Sequence, residues 1–344
     1  MGNKEMLKVG ILGASGYTGS RLAYYLSRHR EAEISFVTSR QEKGRPFSDL
    51  YGELKSICDV PFVEPGEAVD IDIDILFTCA PDQTSMKVAP SYVDRGVAVI
   101  DLAGDFRMNS GEDYERWYGK PHVSPDYIAR AVYGITELNR DKIKGARFIS
   151  NPGCYPTSVQ LGLAPLLREG LIDTSSIHVN SVSGVSGAGR SLKEFKLFYA
   201  ADSNVLPYGF GRSHKHVGEM EQELSRIAGE PCMVTFAPHV VPMKTGIIST
   251  MLVTMKEETA IHHLNEMYGS FYGDDFFVRF TPGVLPQSKH VADTNFCDIG
   301  IVRVDGTDKL IVASAICNLG KGASGQAVQN MNVMFGIDER EGLI

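Results

Sequence analysis

The stretch "KVGILGASGYTG", residues 8–19, runs a short apolar segment into three glycines, Gly13, Gly16 and Gly19, and then into a helical pattern. The spacing is G-x-x-G-x-x-G, directly after a predicted strand and directly before a predicted helix. In that setting glycines let the backbone approach a pyrophosphate, and the N–H groups of the helix start stabilise its charge. A tight turn without a ligand is the competing reading. The segment "SRLAYYLSRHRE" that follows puts Leu22, Tyr25, Leu26 and His29 on one helical face. "EISFVTS" (33–39), "DILFTCA" (74–80) and "VAVIDLA" (97–103) read as further buried strands, each rich in β-branched residues. Strand, helix, strand in this rhythm predicts a parallel Rossmann-type sheet with right-handed crossovers.

The second strand ends in "TSRQEKGR", with Ser39 and Arg40 where an acidic residue would accept the ribose 2′-hydroxyl of NAD. A hydroxyl and a cation suit a 2′-phosphate, so NADP is favoured over NAD. A solvated surface arginine is the alternative.

Further along, Met108 to Arg147 reads as an irregular excursion that ends in the strand "ARFISN". From about Ile172 the pattern changes to longer alternating strands, which predict a second, α+β domain with a mostly antiparallel sheet and helices near 191–200, 215–228 and 258–271. The last segment, "KGASGQAVQNMNVMFGI", reads as a glycine-rich loop feeding a helix that returns to the first domain. The expected division is therefore an α/β chain in two parts. Residues 1–153 and 318–344 form the NADP-binding Rossmann domain, and 154–317 form the catalytic and oligomerisation domain.

Composition narrows the partners. The chain has 344 residues, 43% of them hydrophobic, 22% charged, with a formal net charge of −8. No Lys/Arg run offers a nucleic-acid surface, and no apolar stretch of about 18 residues predicts a membrane span. The start lacks a signal-peptide pattern, so a cytoplasmic protein is expected. Cysteines 58, 79, 154, 232, 297 and 317 are widely separated and form no metal-ligand pattern. They are expected to be reduced thiols, and no metal is expected.

One of the six differs in setting. "NPGCYPTSVQLG" (151–162) places Cys154 between a glycine and an aromatic, just ahead of a helix expected to begin at Tyr155 or Pro156. A helix N-terminus stabilises a thiolate, the reactive form of cysteine. The other five lie in apolar or strand-like surroundings and read as packed small residues. An acid/base partner is offered by "GRSHKHVGEMEQEL", where His214 and His216 precede a helix and Glu219 lies within reach to orient the imidazole of His216. A metal would need a third ligand that the segment lacks, and a basic solvated loop is the plain alternative. His178 and His239 alternate with apolar residues and read as core or rim histidines.

Two stretches can hold an anion. "DLAGDFRM" puts Arg107 past the C-terminal end of a predicted parallel strand, the edge at which open α/β sheets bind ligands. An internal Asp105–Arg107 ion pair is the alternative. "SGVSGAGRSLKEF" offers Ser183, Ser186 and glycines 184, 187 and 189 ahead of Arg190, as a carboxylate- or phosphate-holding loop or simply a bend.

Taken together, "GASGYTG", "TSR", "DLAGDFR", "NPGCYPT", "SGVSGAGR", "HKH", "PHVVPMKTGIIST" and "KGASGQAVQNMN" closely resemble, in order and over nearly the whole length, the N-acetyl-gamma-glutamyl-phosphate reductase family. That family lies within the aspartate-semialdehyde dehydrogenase superfamily. The chain departs from its pattern at "APDQTS", where the family more often reads Leu-Pro-His-Gly, and at "YGITELN", where "YGLPELN" is usual.

The resemblance implies an NADP(H)-dependent reduction of N-acetylglutamyl phosphate to the semialdehyde, in arginine biosynthesis. Cys154 would attack the acyl phosphate to give a thioester that receives hydride, and His216 or His214, with His216 preferred, would move the proton. Arg107 would hold the departing phosphate, Asn151 would orient the nucleophile, and Ser183 and Arg190 would contact substrate. Cofactor contacts carried over are Gly13, Ser15, Gly16, Tyr17, Thr18, Gly19, Ser39, Arg40, Ser186, Gly187 and Asn318. A homodimer or homotetramer is expected. The alternatives are the aminoadipyl homologue, one methylene longer, aspartate-semialdehyde dehydrogenase, and a non-catalytic NADP-binding regulator.

Overall fold

The computed structural model describes residues 6–190 and 202–344. The helix expected near 191–200 lies outside the described residues. The chain forms two compact units, one of residues 1–152 and 323–344 and one of residues 153–322.

The first unit is built on a seven-stranded sheet. Its strands are β1 (Leu7–Leu12), β2 (Ala32–Thr38), β3 (Phe62–Val63), β4 (Ile75–Thr78), β5 (Ala98–Asp101), β6 (Val132–Tyr133) and β7 (Phe148–Ser150). Their order is β3-β2-β1-β4-β5-β7-β6, and every pair is parallel. The order reverses between β1 and β4, which opens a crevice beyond their C-terminal ends. β4 and β5 are buried along their whole lengths, as strands covered on both faces should be. The helix Tyr17–Leu26 buries Leu22, Tyr25 and Leu26, while His29 lies past its end and bonds the Asn332 side chain at 2.9 Å.

Met108 to Arg147 is not irregular. It contains the helix Gly111–Tyr118, a 3₁₀ turn at Pro125–Arg130, strand β6 and the helix Thr136–Ile143. The first of these is only two turns long, so it shows little periodicity. Its signals are local: Ser110 Oγ accepts from Asp113 N at 3.0 Å, and Gly119 ends it in the left-handed region at φ 71°.

The second unit holds β8 (Ile177–Ser183), β9 (Leu206–Pro207), β10 (Val234–Val240), β11 (Ile247–Thr254), β12 (Val278–Phe280), β13 (Cys297–Arg303) and β14 (Lys309–Ile316). Their order is β12-β13-β14-β11-β8-β10-β9. The pairs β8–β10 and β12–β13 are parallel and the other four are antiparallel. The helix Cys154–Arg168 packs on β11 and β14 and buries every residue from Tyr155 to Leu167.

Burial alternates along β8 and β11. His178, Asn180, Thr250 and Leu252 are exposed between buried neighbours, so one sheet face carries the core and the other is open among the described residues. His178 is thus a surface residue rather than a core histidine, and His239 is half-buried beside the Phe210 ring. No disulfide links the cysteines, and Cys58, Cys232, Cys297 and Cys317 are buried.

Candidate active site

Three glycines shape the first part of the site, each for its own reason. Gly13 has φ +77°, and a Cβ there would meet the Ala80 backbone at 3.0 Å. A Cβ on Gly19 would lie 2.5 Å from the Ala14 Cα, so only glycine lets the helix pack this closely on the turn that follows β1. Gly16 has nothing nearer than 4.0 Å, so the backbone there faces open space. Gly16 is also the N-cap of the helix Tyr17–Leu26, with no side chain capping it and no acidic residue in the first turn.

An uncapped helix start beside open backbone fits a dinucleotide pyrophosphate. Thr38, at the end of β2, holds the turn by accepting from Gly13 N through Oγ1 at 3.0 Å, a contact that sequence reading misses. Next to it Ser39 is buried and Arg40 exposed. Ser15 and Thr18 are half-buried and Tyr17 exposed.

At the end of β5 two buried carboxylates organise the strand ends. Asp101 accepts from Thr78 Oγ1 at 2.7 Å and from the Ala103 and Gly104 amides, and burial followed by the nearby Asp105 charge raises its pKa. Asp105 accepts from the Gln83 and Met86 amides at the start of the helix Ser85–Asp94, and from the Tyr114 hydroxyl. Arg107, buried, donates from Nε to the Asn151 carbonyl at 2.8 Å and from a terminal nitrogen to the Leu102 carbonyl at 3.1 Å. Asn151 donates from Nδ2 to the Ala323 carbonyl and accepts from Asn330. Arg107 and Asn151 are therefore neighbours in the first unit, built into one hydrogen-bonded strand-end structure.

The thiol lies in the second unit. Cys154 is itself the first residue of its helix, one or two positions earlier than the sequence predicts, with Gly153 as the N-cap. His216 is likewise the first residue of the helix His216–Ala228. A Cβ placed on Gly153 would lie 2.6 Å from His216 Nε2 and 3.0 Å from Glu219 Oε2. Glu219, fully buried, accepts the Gly153 amide hydrogen through Oε1 at 2.7 Å. Imidazole and carboxylate thus converge on the residue just before the thiol.

The two histidines differ. His214 is boxed by rings, with Tyr208 at 5.5 Å, Phe236 at 5.4 Å and Tyr155 at 5.8 Å between centroids. Its Nδ1 accepts from His216 N at 3.1 Å, so that nitrogen carries no proton. Burial, and then the Lys215 charge, lowers its pKa to about 4. Tyr155 and Tyr208 share a hydroxyl–hydroxyl bond of 2.7 Å beside it, and burial pushes Tyr208 up to about 12. Sequence reading singles out neither tyrosine. The "CY" pair of the motif is the available signal.

Ser186, Gly187, Ser183 and Asn318 are also brought together in this unit. Asn318 donates to Ser186 Oγ at 2.9 Å and accepts from Gly246 N at 2.7 Å. A Cβ on Gly187 would lie 3.2 Å from Ser183 Oγ and 3.6 Å from Asn318 Nδ2. Arg190 is exposed, at the last described position before residue 202. Among the described residues there is no His, Cys, Asp and Glu cluster able to hold a metal, and no helix long and apolar enough to cross a membrane.

This fold and site define a semialdehyde dehydrogenase. Residues 8–146 match the family described as the semialdehyde dehydrogenase NAD-binding domain, and residues 154–318 match its dimerisation domain. In fold the chain is similar to aspartate semialdehyde dehydrogenase II of Vibrio cholerae complexed with ASA, with TM-score 0.72 and 19% identity over 96% of this chain and 98% of that one. It is likewise similar to the Candida albicans enzyme with NADP, with TM-score 0.68 and 17% identity over 96% and 98%.

Closer in sequence are N-acetyl-gamma-glutamyl-phosphate reductases. That of a Geobacter species is 48% identical and that of Geobacter sulfurreducens 46%, each over 98% of both chains. The chain belongs to the N-acetyl-gamma-glutamyl-phosphate reductase family.

Proposed function

We propose that the chain is an oxidoreductase that reduces N-acetyl-L-glutamyl 5-phosphate to N-acetyl-L-glutamate 5-semialdehyde with NADPH, as a step of arginine biosynthesis. The observation that carries the reading is the convergence of His216 Nε2 and the Glu219 carboxylate on Gly153, one residue before a thiol that opens a helix.

Cys154 is the nucleophile. The helix start favours its anionic form, and the sulfur attacks the acyl carbon while phosphate departs, leaving a thioester. Arg107 and Arg190 bear the anionic groups of the substrate, and Asn151 positions the nucleophile. Gly13, Gly16 and Gly19 would hold the pyrophosphate of a reduced nicotinamide cofactor, with Ser39 and Arg40 suited to a 2′-phosphate, and such a cofactor would supply the hydride when bound. His216 then protonates the oxyanion and takes the proton back as the C–S bond breaks, which releases the aldehyde and regenerates the thiolate. His214, neutral in its ring box, supports His216 through the backbone.

The second sheet's open face, with Thr250 and Leu252 exposed, supports self-association, in keeping with the dimerisation-domain match. Light scattering on the wild type and on Leu252→Arg tests it, with a monomeric wild type as the refuting outcome.

The activity is tested by phosphate-dependent reduction of NADP, comparing the semialdehydes of N-acetylglutamate, N-acetylaminoadipate and aspartate. Turnover is expected with the first. Preference for the second moves the assignment to the longer homologue, and NADP binding without any turnover abandons the enzyme.

A further inference from the structure

Lys321 shows no solvent exposure, a rare state for a lysine. Its ammonium lies 5.8 Å from the centroid of the Phe277 ring, which is itself fully buried and packs against Phe276 and Phe296 at 5.1 and 5.6 Å. The residue sits in a π-helical turn, Gly320–Ser324, a geometry uncommon in proteins and enriched at functional sites. Gly320 N and Gly322 N both donate to the Cys317 carbonyl, at 3.1 and 2.9 Å.

The glycines flanking Lys321 have no slack. A Cβ on Gly320 would fall 2.0 Å from the Thr294 carbonyl oxygen, and one on Gly322 would fall 2.8 Å from Cys154 Cβ and 3.2 Å from Ile316 Cδ1. The turn is therefore clamped between a carbonyl on one side and the thiol-bearing residue on the other. An apolar side chain of equal length would fill the same volume without directional preference. An ammonium constrains its own orientation toward π faces and acceptors.

We propose that Lys321 is a positioning residue for Cys154, anchoring the Gly320–Gly322 turn on the Phe277 cluster so that Gly322 sets where the nucleophile's Cβ rests. The inference rests on Cys154 being the nucleophile and adds to that reading a support behind it. Displacements well under an ångström at a reacting atom suffice to lower a rate strongly.

Lys321→Met keeps the stem and removes the charge. Cys154 alkylation by iodoacetamide, read against a Cys154→Ser blank, is measured across pH alongside kcat, KM for the semialdehyde and thermal unfolding. The expected result is a folded variant with alkylation slowed about 10-fold and its pH profile displaced, kcat down ~10- to 100-fold, and KM within about 3-fold.

A folded Lys321→Met with wild-type alkylation and kcat overturns the proposal. If that variant does not fold, Phe277→Leu is read by the same criteria. If neither folds, the lysine serves stability and the proposal fails. Activity retained by Cys154→Ser would instead sink the nucleophile itself, whereas an inactive Cys154→Ser beside an unaffected Lys321→Met sinks only the role given to Lys321.

Discussion

The Glu219 carboxylate accepts the amide hydrogen of Gly153 at 2.7 Å, so a fully buried acid holds the backbone one residue before the thiol. Glu219→Ala removes the acceptor and leaves a buried amide unmet, which costs about 1–3 kcal/mol. A lowered urea midpoint together with a reduced kcat is expected. Unchanged kcat in a folded Glu219→Ala would show that the carboxylate does not place Cys154.

Gly153→Ala addresses the same corner from the other side. Its methyl group would meet His216 Nε2 at 2.6 Å, so the imidazole must move. Activity should fall by about 10-fold or more while NADP affinity is kept. Steady-state kinetics with a fluorescence titration of the cofactor separates the two.

The nucleotide turn makes a paired prediction. Gly19→Ala collides with the Ala14 backbone at 2.5 Å and should destabilise the first unit, whereas Gly16→Ala has 4.0 Å of room and should not. On the proposed cofactor site, Gly16→Ala should instead weaken NADP binding, because its methyl group would occupy the open space beside the helix start. Equal loss of melting temperature in both variants would contradict the assignment.

For Arg40, exposed beside β2, the substitution Arg40→Ala is expected to lower kcat/KM with NADPH about 10-fold and leave NADH little changed. Parallel losses with both cofactors would remove the 2′-phosphate role.

His214 links stability to pH. Its pKa falls from the ordinary 6.5 to about 4 on folding, so between those values the unfolded chain binds the proton more readily than the folded one. The neutral ring therefore contributes fully above 6.5, and its contribution is lost as pH drops toward about 4. Urea midpoints measured across that window should fall less steeply in His214→Phe than in the wild type. Identical slopes would rule His214 out as the source.

Much of this is legible in the sequence. Gly13, Gly16 and Gly19 carry spacing and context together, and the β-branched runs around them are long enough to show period and burial. The helix Gly111–Tyr118 escapes such reading because two turns give no reliable period, and its cap at Ser110 is a single local contact. Glu219 is visible as a neighbour of His216 on one helix, yet its bond to Gly153 spans 66 positions of chain, a distance that no periodicity encodes. Lys321 reads as one cation in a glycine-rich loop, since its burial beside Phe277 depends on a residue far away in sequence.

Cys154 and His216 each stand at the first position of a helix, so the two side chains to which we assign the chemistry are tied to where those helices begin and not to where they stop. The far ends are Gly170 and Gly229, both left-handed turns at which an added Cβ would meet nothing within 4 Å. Evolution and engineering alike can lengthen, trim or graft segments at those two turns without disturbing the chemistry, which makes them natural places for a tag, a fused domain or a new chain terminus.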